Sequence, residues 1–278
     1  MNHRSPTPSN VIDAVKSAIP AGHLAARVRR VAIYAFMTIV RTDQMGMSMT
    51  LLDDRIYTSG IHAPVRQMGQ VEQLCLAELL TWTDSHVPLE RSIGMAALNA
   101  AVLPPIRPCV AGNALELAAS RARGKRAVVI GHFPHLEEIR RVASAFHILE
   151  KRPQPGDLPA EAAPQVIPDA DVVAMTGVTC LNDTIDDLLR LKKPGSTWIV
   201  LGPTVPLSPV LFEFGVDVIG GAWAEEPDTV EAMMSQGGTA RCIPGLRSVL
   251  MPRDMSLVGN RPVLPPPPPI ETRSNKKD

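Results

Sequence analysis

The sequence lacks the features that would direct it to a membrane, to nucleic acid or to an oxidising compartment. Its four cysteines include no close pair, which argues against a zinc knuckle and against a secreted disulfide framework. Lys plus Arg and Asp plus Glu are equal at 28 each, so no basic field attracts phosphate backbones or anionic lipid. The start, MNHRSPTPSN, has no apolar signal core, and the longest apolar stretch, 31–40, is about half of a membrane span. We therefore expect a cytoplasmic protein without membrane or nucleic-acid partners.

The first hundred residues have the mixed periodicity of an α+β domain. The pattern predicts a helix, two strands and two further helices in that order, over residues 11–30, 31–40, 45–52, 71–82 and 89–102. Pro104, Pro105 and Pro108 then interrupt the last helix. Because proline cannot continue a helix, a domain connection is expected near residues 103–112.

The second half alternates short apolar runs with polar turns and helical segments. The runs predict parallel strands over residues 127–131, 171–177, 197–202 and 216–221. The predicted fold class is therefore α/β, with an α+β domain over residues 1–110 and a Rossmann-like parallel-sheet domain over 111–252. Five consecutive prolines at 265–269 mark a tail over 253–278 that is expected to be polyproline-like or disordered.

Each of the four predicted strands ends at a turn that contains glycine. These turns hold Gly131, Gly177, Gly202 and Gly220. The carboxyl ends of parallel strands share one edge of a sheet, and ligands bind outside that edge. Glycine allows a positive φ and a close approach of the main chain, although any tight βα turn also favours it. Its recurrence at one edge, with hydroxyls and imidazoles nearby, predicts a small-ligand site.

Two histidines, His132 and His135, follow the first of these glycines. On a helical turn, both imidazoles could face one transition or heavy metal ion, whose identity the sequence does not give. The alternative is that one imidazole packs or caps while the other is solvated, because two histidines alone make an incomplete metal site. Cys180 could complete the set in space, or it could be a small buried apolar group.

A polar cluster, Asn182, Asp183 and Thr184, precedes an apolar helical run. It has the composition of a helix N-cap, and the positive end of that helix would favour an anionic ligand at the same edge. Capping alone is the alternative for Asp183, whereas Thr176, Thr179 and Asn182 are better placed for a ligand. No predicted strand is followed by G-x-G-x-x-G, so the dinucleotide-binding fingerprint is missing.

Four segments together resemble a known family: LERSIGMAALNA (89–100), GHFPHLEE (131–138), TGVTCLNDTIDDLL (176–189) and GPTVPLSPVLFEFGVDVIGG (202–221). The last three resemble DUF364, described as a "putative heavy-metal chelation" family, and the first resembles its companion domain DUF4213. The resemblance implies an enolase-N-terminal-like α+β unit before a Rossmann-like domain, with a ligand-binding cleft between the two. It implies the following ligand-binding candidates: Glu90, Gly131, Phe133, Thr176, Gly177, Thr179, Asn182, Thr184, Gly202, Pro203, Ser208 and Gly220. The metal candidates remain His132 and His135.

Three functions follow as hypotheses. The first is chelation of a heavy metal, or binding of a metal complex or other small ligand, in the cleft between the domains, with or without catalysis. The second is a nucleotide- or S-adenosylmethionine-dependent transferase, which the Rossmann-like order favours although no diagnostic acidic residue follows the first predicted strand. The third is a regulatory or scaffold protein without chemistry that engages a partner through the proline-rich tail. A homodimer is expected only from the frequency of dimers among soluble proteins.

Overall fold

The computed structural model describes residues 10–52, 64–240 and 243–268. These residues form two compact units. The Rossmann-like unit contains described residues 10–17, 107–221 and 248–264. The antiparallel unit contains the described parts of 18–106, 222–247 and 265–278.

Strands and α-helices are numbered here along the chain. The strands are β1 (Arg30–Ile33), β2 (Met37–Arg41), β3 (Met45–Met49), β4 (Cys109–Ala111), β5 (Arg126–Ile130), β6 (Ala145–Glu150), β7 (Leu158–Pro159), β8 (Val172–Thr176), β9 (Thr197–Leu201), β10 (Val218–Ala224), β11 (Leu246–Pro252) and β12 (Val263–Leu264). The helices are α1 (Val11–Ser17), α2 (Ala21–Leu24), α3 (Leu76–Leu80), α4 (Pro88–Ala101), α5 (Ala114–Arg121), α6 (Glu137–Val142), α7 (Ala163–Val166), α8 (Val178–Leu181), α9 (Ile185–Leu189) and α10 (Pro227–Ser235). Short 3-10 turns lie between several of them.

A nine-stranded sheet forms the Rossmann-like unit, in the order β12-β4-β11-β10-β9-β8-β5-β6-β7. The run β7-β6-β5-β8-β9-β10 is parallel throughout. Ranked along the chain, these six strands have the order 3-2-1-4-5-6 of the doubly wound dinucleotide-binding fold. The predicted α/β class with a Rossmann-like sheet is therefore confirmed. The strand order reverses between β5 and β8, which makes this pair the topological switch point.

Both faces of the central strands are covered. Ala127 and Val129 belong to a core cluster with residues of α5 and α6, and the alternate residues Val128 and Ile130 are buried as well. Parallel strands that are buried on both faces have continuous apolar sequences. This explains why β5, β8 and β9 could be predicted to within one residue at each end.

The antiparallel unit contains a three-stranded meander, β1-β2-β3. The prediction of a single strand over 31–40 is wrong, because the chain reverses within it and pairs Ile33 with Thr38. The reversal is closed by the Tyr34 N–H, which donates to the Met37 carbonyl at 2.8 Å. It contains no glycine, proline, asparagine or aspartate, so the residues that usually mark a turn are missing.

Helix α10 packs in the same unit as the meander. Its Val230 and Met234 share a core cluster with Met45 and Met47 of β3. Glu231 accepts a hydrogen bond from the Arg30 guanidinium at 2.9 Å. The described part of the 222–247 segment therefore completes the core of a unit whose strands β1 to β3 come from the beginning of the chain.

Residues 253–264 differ from the expected irregular tail. Residues Met255–Leu257 form a 3-10 turn, and β12 pairs with β4 at the edge of the sheet. The first four prolines of the five-proline run, up to Pro268, are described. Pro269 and the rest of the predicted tail lie outside the described residues. Across the described ranges, no helix combines the length and the apolar character needed to cross a bilayer.

Candidate functional site

The turn that follows β5 touches the last residue of β8 at the switch point. Gly131, which directly follows β5, has φ +93°, and a Cβ atom there would lie 2.9 Å from the Thr176 Cγ2. The same Cβ would lie 3.8 Å from the Phe133 ring. A side chain at position 131 would therefore be strained and would collide with Thr176. The structure brings Gly131, Phe133 and Thr176 together, at the place where doubly wound folds bind ligands.

The loop after β9 joins the same edge. A Cβ at Gly177 would lie 2.6 Å from the Val205 nitrogen, so the loops after β8 and β9 are also in close contact. Gly202 has φ +116° and donates its N–H to the Gly220 carbonyl at 2.8 Å. Pro203 follows in a partly exposed turn, whereas Ser208 is buried and precedes the 3-10 turn Pro209–Phe212. The three loops therefore lie together at one edge of the sheet.

Two of the predicted ligand hydroxyls, those of Thr179 and Thr184, make hydrogen bonds within the protein. Thr179 is 3% exposed, and its hydroxyl donates to the Thr176 carbonyl at 2.7 Å. The Thr184 hydroxyl donates to the Asn182 side-chain oxygen at 2.6 Å and makes no side-chain cap of α9. Thr184 thus occupies the predicted N-cap position of α9, but its side chain does not cap the helix. Helix α9 has only five residues, so its dipole carries no argument for an anion.

Two residues with unfavourable backbone conformations lie in the loops on either side of the switch point. His135 has φ +60° and Asp183 has φ +59°. Non-glycine residues in this region are strained, and such strain is concentrated at functional sites. The segment 132–135 is not helical, because α6 begins only at Glu137. The helical turn that was expected to align His132 with His135 is therefore not formed.

Replacing Asp183 tests whether this strain is real. Asp183→Gly is expected to change the free energy of unfolding by no more than about 1 kcal/mol, because relief of the left-handed strain offsets the entropy of glycine. Asp183→Val should lower it by about 2 kcal/mol, since a β-branched side chain tolerates this φ poorly. Urea denaturation of the two variants measures the difference. Equal stability of the valine and glycine variants would contradict the assigned conformation.

His132 lies at this edge and contacts a buried carboxylate. Its Nδ1 is 3.3 Å from the Asp157 Oδ2, and the two side chains are 40% and 3% exposed. The Gln154 N–H also donates to this Asp157 oxygen, at 3.0 Å. A carboxylate beside one ring nitrogen favours a proton there and leaves the other nitrogen as the electron-pair donor. His132 is therefore the predicted metal-binding histidine that this carboxylate contact supports.

The thiols contribute little to metal binding. Cys180 is buried, and burial, with a smaller effect of the Asp186 charge, raises the pKa of its thiol to about 12. Because a metal ligand must be the thiolate, Cys180 is a poor donor at neutral pH. The described residues contain no cluster of three or more His, Cys, Asp or Glu side chains that could hold an ion.

Two of the predicted site residues have structural explanations. The fourth loop expected at Gly220 is wrong, since β10 continues to Ala224 and Gly220 lies within it. A Cβ at Gly220 would lie 2.4 Å from the Ala114 Cβ, so glycine there allows α5 to pack on the sheet. Glu90 belongs to the antiparallel unit, where its buried carboxylate accepts from the Arg66 N–H at 2.7 Å, the Arg66 guanidinium at 2.9 Å and the Ser85 hydroxyl at 2.6 Å.

Sequence reasoning missed two carboxylates at this edge, Glu150 and Asp157. Glu150 is the last residue of β6, and Asp157 ends the loop that follows it. Neither could be proposed because β6 itself was not predicted. A signal was present in FHILE (146–150), which mixes apolar and polar residues as a strand with one exposed side does.

Comparison with known proteins adds the family. A family model described as "Putative heavy-metal chelation", DUF364, matches residues 113–248, and a second model with the same description, DUF4213, matches residues 15–102. The chain therefore contains a DUF364 domain preceded by a DUF4213 domain. A DUF364 structure from Desulfitobacterium hafniense has a TM-score of 0.73 at 23% identity and covers 87% of this chain and 98% of its own. One from Pyrococcus horikoshii has a TM-score of 0.68 at 17% identity, with coverage of 87% and 100%.

One relative was found by sequence, and its description names no function. An uncharacterized protein of Methanocaldococcus jannaschii is 28% identical over 179 residues, which are 62% of this chain and 67% of that protein. The two solved DUF364 structures support the fold, because they align over nearly their full lengths. The ligand has to be inferred from the site itself.

Proposed function

We propose that this DUF364 protein binds a small metal complex at the carboxyl edge of its parallel sheet, with His132 as the protein's donor to the metal. The observation that carries the proposal is the pairing of a 40% exposed imidazole with a 3% exposed carboxylate at 3.3 Å. Metal-binding histidines usually donate their second ring N–H to a carboxylate or a carbonyl, and Asp157 lies beside the His132 Nδ1 where such a partner would be. The switch point beside it is where the fold has room for a ligand.

The donor set favours a complex over a bare ion. One imidazole gives one coordination bond, whereas a structural zinc site takes four protein ligands and a catalytic one takes three. The described residues offer no cluster of that size. The remaining positions on the metal would then be filled by a small chelator, which the close-packed loops at Gly131, Gly177 and Gly202 would contact through their main chains.

The test uses a chelate with one open coordination position. Zinc(II) diethylenetriamine presents three nitrogens to the metal and leaves one tetrahedral position free. Native mass spectrometry of the untagged full chain should show a one-to-one complex that still contains the chelator. His132→Ala should lose it, whereas His147→Ala, which removes an exposed histidine of β6, should retain it.

Two results would reject the proposal in different ways. Retention of zinc with loss of the diethylenetriamine would mean that the protein supplies three or more ligands itself and is a chelator of the ion. Equal binding by wild type and His132→Ala would remove His132 from the site. Elemental analysis of untagged protein from cells grown with mixed trace metals identifies which metal the protein carries naturally.

A further inference from the structure

Glu150 ends the strand beside β5 and lies next to the turn at Gly131. In the parallel pair of β5 and β6, Ile130 is in register with Leu149. The Gly131 N–H donates to the Leu149 carbonyl at 2.9 Å, so the residue after Leu149 emerges beside the residue after Ile130. The carboxylate thus belongs to the same edge as the switch point, on the β6 side of it.

The main chain holds this carboxylate in place. Glu150 Oε1 accepts from the Lys151 N–H at 2.8 Å and from the Arg152 N–H at 3.4 Å. Glu150 is half-buried. A carboxylate has about four acceptor positions, so these two contacts orient the group and leave capacity for two further donors.

The position of Glu150 in the strand order indicates which ligand groups its carboxylate would bind. In a doubly wound sheet, an acidic residue about 20 residues after the glycine of the first βα turn accepts hydrogen bonds from ribose hydroxyls. Here β5 is the first strand of that order and β6 the second, and Glu150 follows Gly131 by 150 − 131 = 19 residues. We propose that Glu150 binds a vicinal diol, and that the organic ligand at this edge is a ribonucleoside.

A nucleoside fits better than a dinucleotide. The turn after β5, GHFPHL, lacks the glycine-rich sequence that lets a diphosphate approach the main chain. Helix α6 has only six residues and carries Glu137 and Glu138 in its first turn, where phosphate would be repelled. At this edge, Glu150 would accept hydrogen bonds from hydroxyls, whereas Glu137 and Glu138 would repel a phosphate chain. This inference concerns the organic ligand and does not depend on His132 binding a metal.

The experiment compares ribonucleosides with their deoxy forms. Isothermal titration of the full chain is made with adenosine, guanosine, cytidine and uridine, and then with the 2′-deoxy and 3′-deoxy forms of whichever binds. We expect one ribonucleoside to bind, and loss of either hydroxyl or Glu150→Gln to weaken it about tenfold or more, because a charge-assisted hydrogen bond is lost. Its 5′-monophosphate should bind no more tightly than the nucleoside.

Matched variants separate this proposal from the proposed metal function. Glu138→Gln removes a nearby exposed carboxylate that pairs with Arg141 and should leave nucleoside affinity unchanged. Glu150→Gln should keep its thermal melting temperature and its binding of zinc(II) diethylenetriamine, while His132→Ala should keep nucleoside binding. Absence of binding by all four ribonucleosides, equal binding of the deoxy forms, or unchanged affinity in Glu150→Gln would overturn the assignment.

Discussion

Asp217→Ala is expected to lower the free energy of unfolding by about 3–5 kcal/mol, the usual cost of removing one partner from a buried ion pair. Asp217 is 3% exposed and directly precedes β10. Its Oδ2 accepts from the Lys192 ammonium and from the Trp198 N–H, both at 2.8 Å. Alanine would leave a largely buried ammonium without its carboxylate and a buried N–H without its acceptor. Chemical denaturation of the full chain measures the loss.

A surface carboxylate of the same unit provides the control. Asp187 is 81% exposed and pairs with Arg190 one turn away on the chain. Asp187→Ala should change stability by no more than about 0.5 kcal/mol, because exposed pairs contribute little. Asp217→Asn should fall between the two variants, since the amide can still accept from the Trp198 N–H but carries no charge. If Asp217→Ala were as stable as Asp187→Ala, the network at the base of β10 would not stabilise the sheet.

The central strands could be predicted because strands that are buried on both faces have continuous apolar sequences. β5, β8 and β9 are covered on both faces, so each is an unbroken apolar run. β6 lies nearer the edge of the sheet, and β7 pairs with it only at Leu149 and Glu150. The exposed residue His147 interrupts the apolar pattern of β6, and β6 was therefore not predicted. The sequence therefore predicted β8 and β9 on one side of the switch point but not β6 and β7 on the other side.

The residues of the candidate site were predicted only where their strands were predicted. Gly131, Thr176 and Gly177 lie at the ends of predicted strands, and the structure brings Gly131 into contact with Thr176. Glu150 ends the strand that was missed and Asp157 follows it, so no pattern connected these residues with His132. The contact between His132 and Asp157 spans 25 residues of chain, 157 − 132, and depends on the order of β5 and β6 in the sheet. Spacing along a single sequence does not encode such an order.

Glycines illustrate a second limit of sequence reasoning. Glycine at Gly131 and Gly202 serves a positive φ, whereas at Gly220 it serves packing against Ala114. All three follow or lie within apolar strands, so their sequences look alike. Only the end of the strand distinguishes them, because β10 continues through Gly220 while β5 and β9 stop before their glycines. The bounds of a strand therefore decide whether its glycine belongs to a site or to the core.

Gly46→Ala should have an effect comparable to that of Asp217→Ala, for a steric reason. Gly46 lies in β3, and a Cβ there would lie 2.0 Å from the Ala96 carbonyl oxygen and 2.1 Å from the Ala100 nitrogen of α4. Both atoms belong to the main chain of a buried helix, so no rotation of a side chain relieves the collision. Because the strand and the helix must separate, we expect a loss of about 3 kcal/mol or more in the free energy of unfolding.

Gly69→Ala is the matched comparison in the same unit. A Cβ at Gly69 meets no atom within 4 Å, but φ is +85°, so this variant measures backbone strain without collision and should cost about 1 kcal/mol. A Gly46→Ala protein that loses no more stability than Gly69→Ala would mean that α4 can move away from β3 at little cost. A much larger loss would show that main-chain contact between β3 and α4 is rigid, and that only glycine at position 46 permits it.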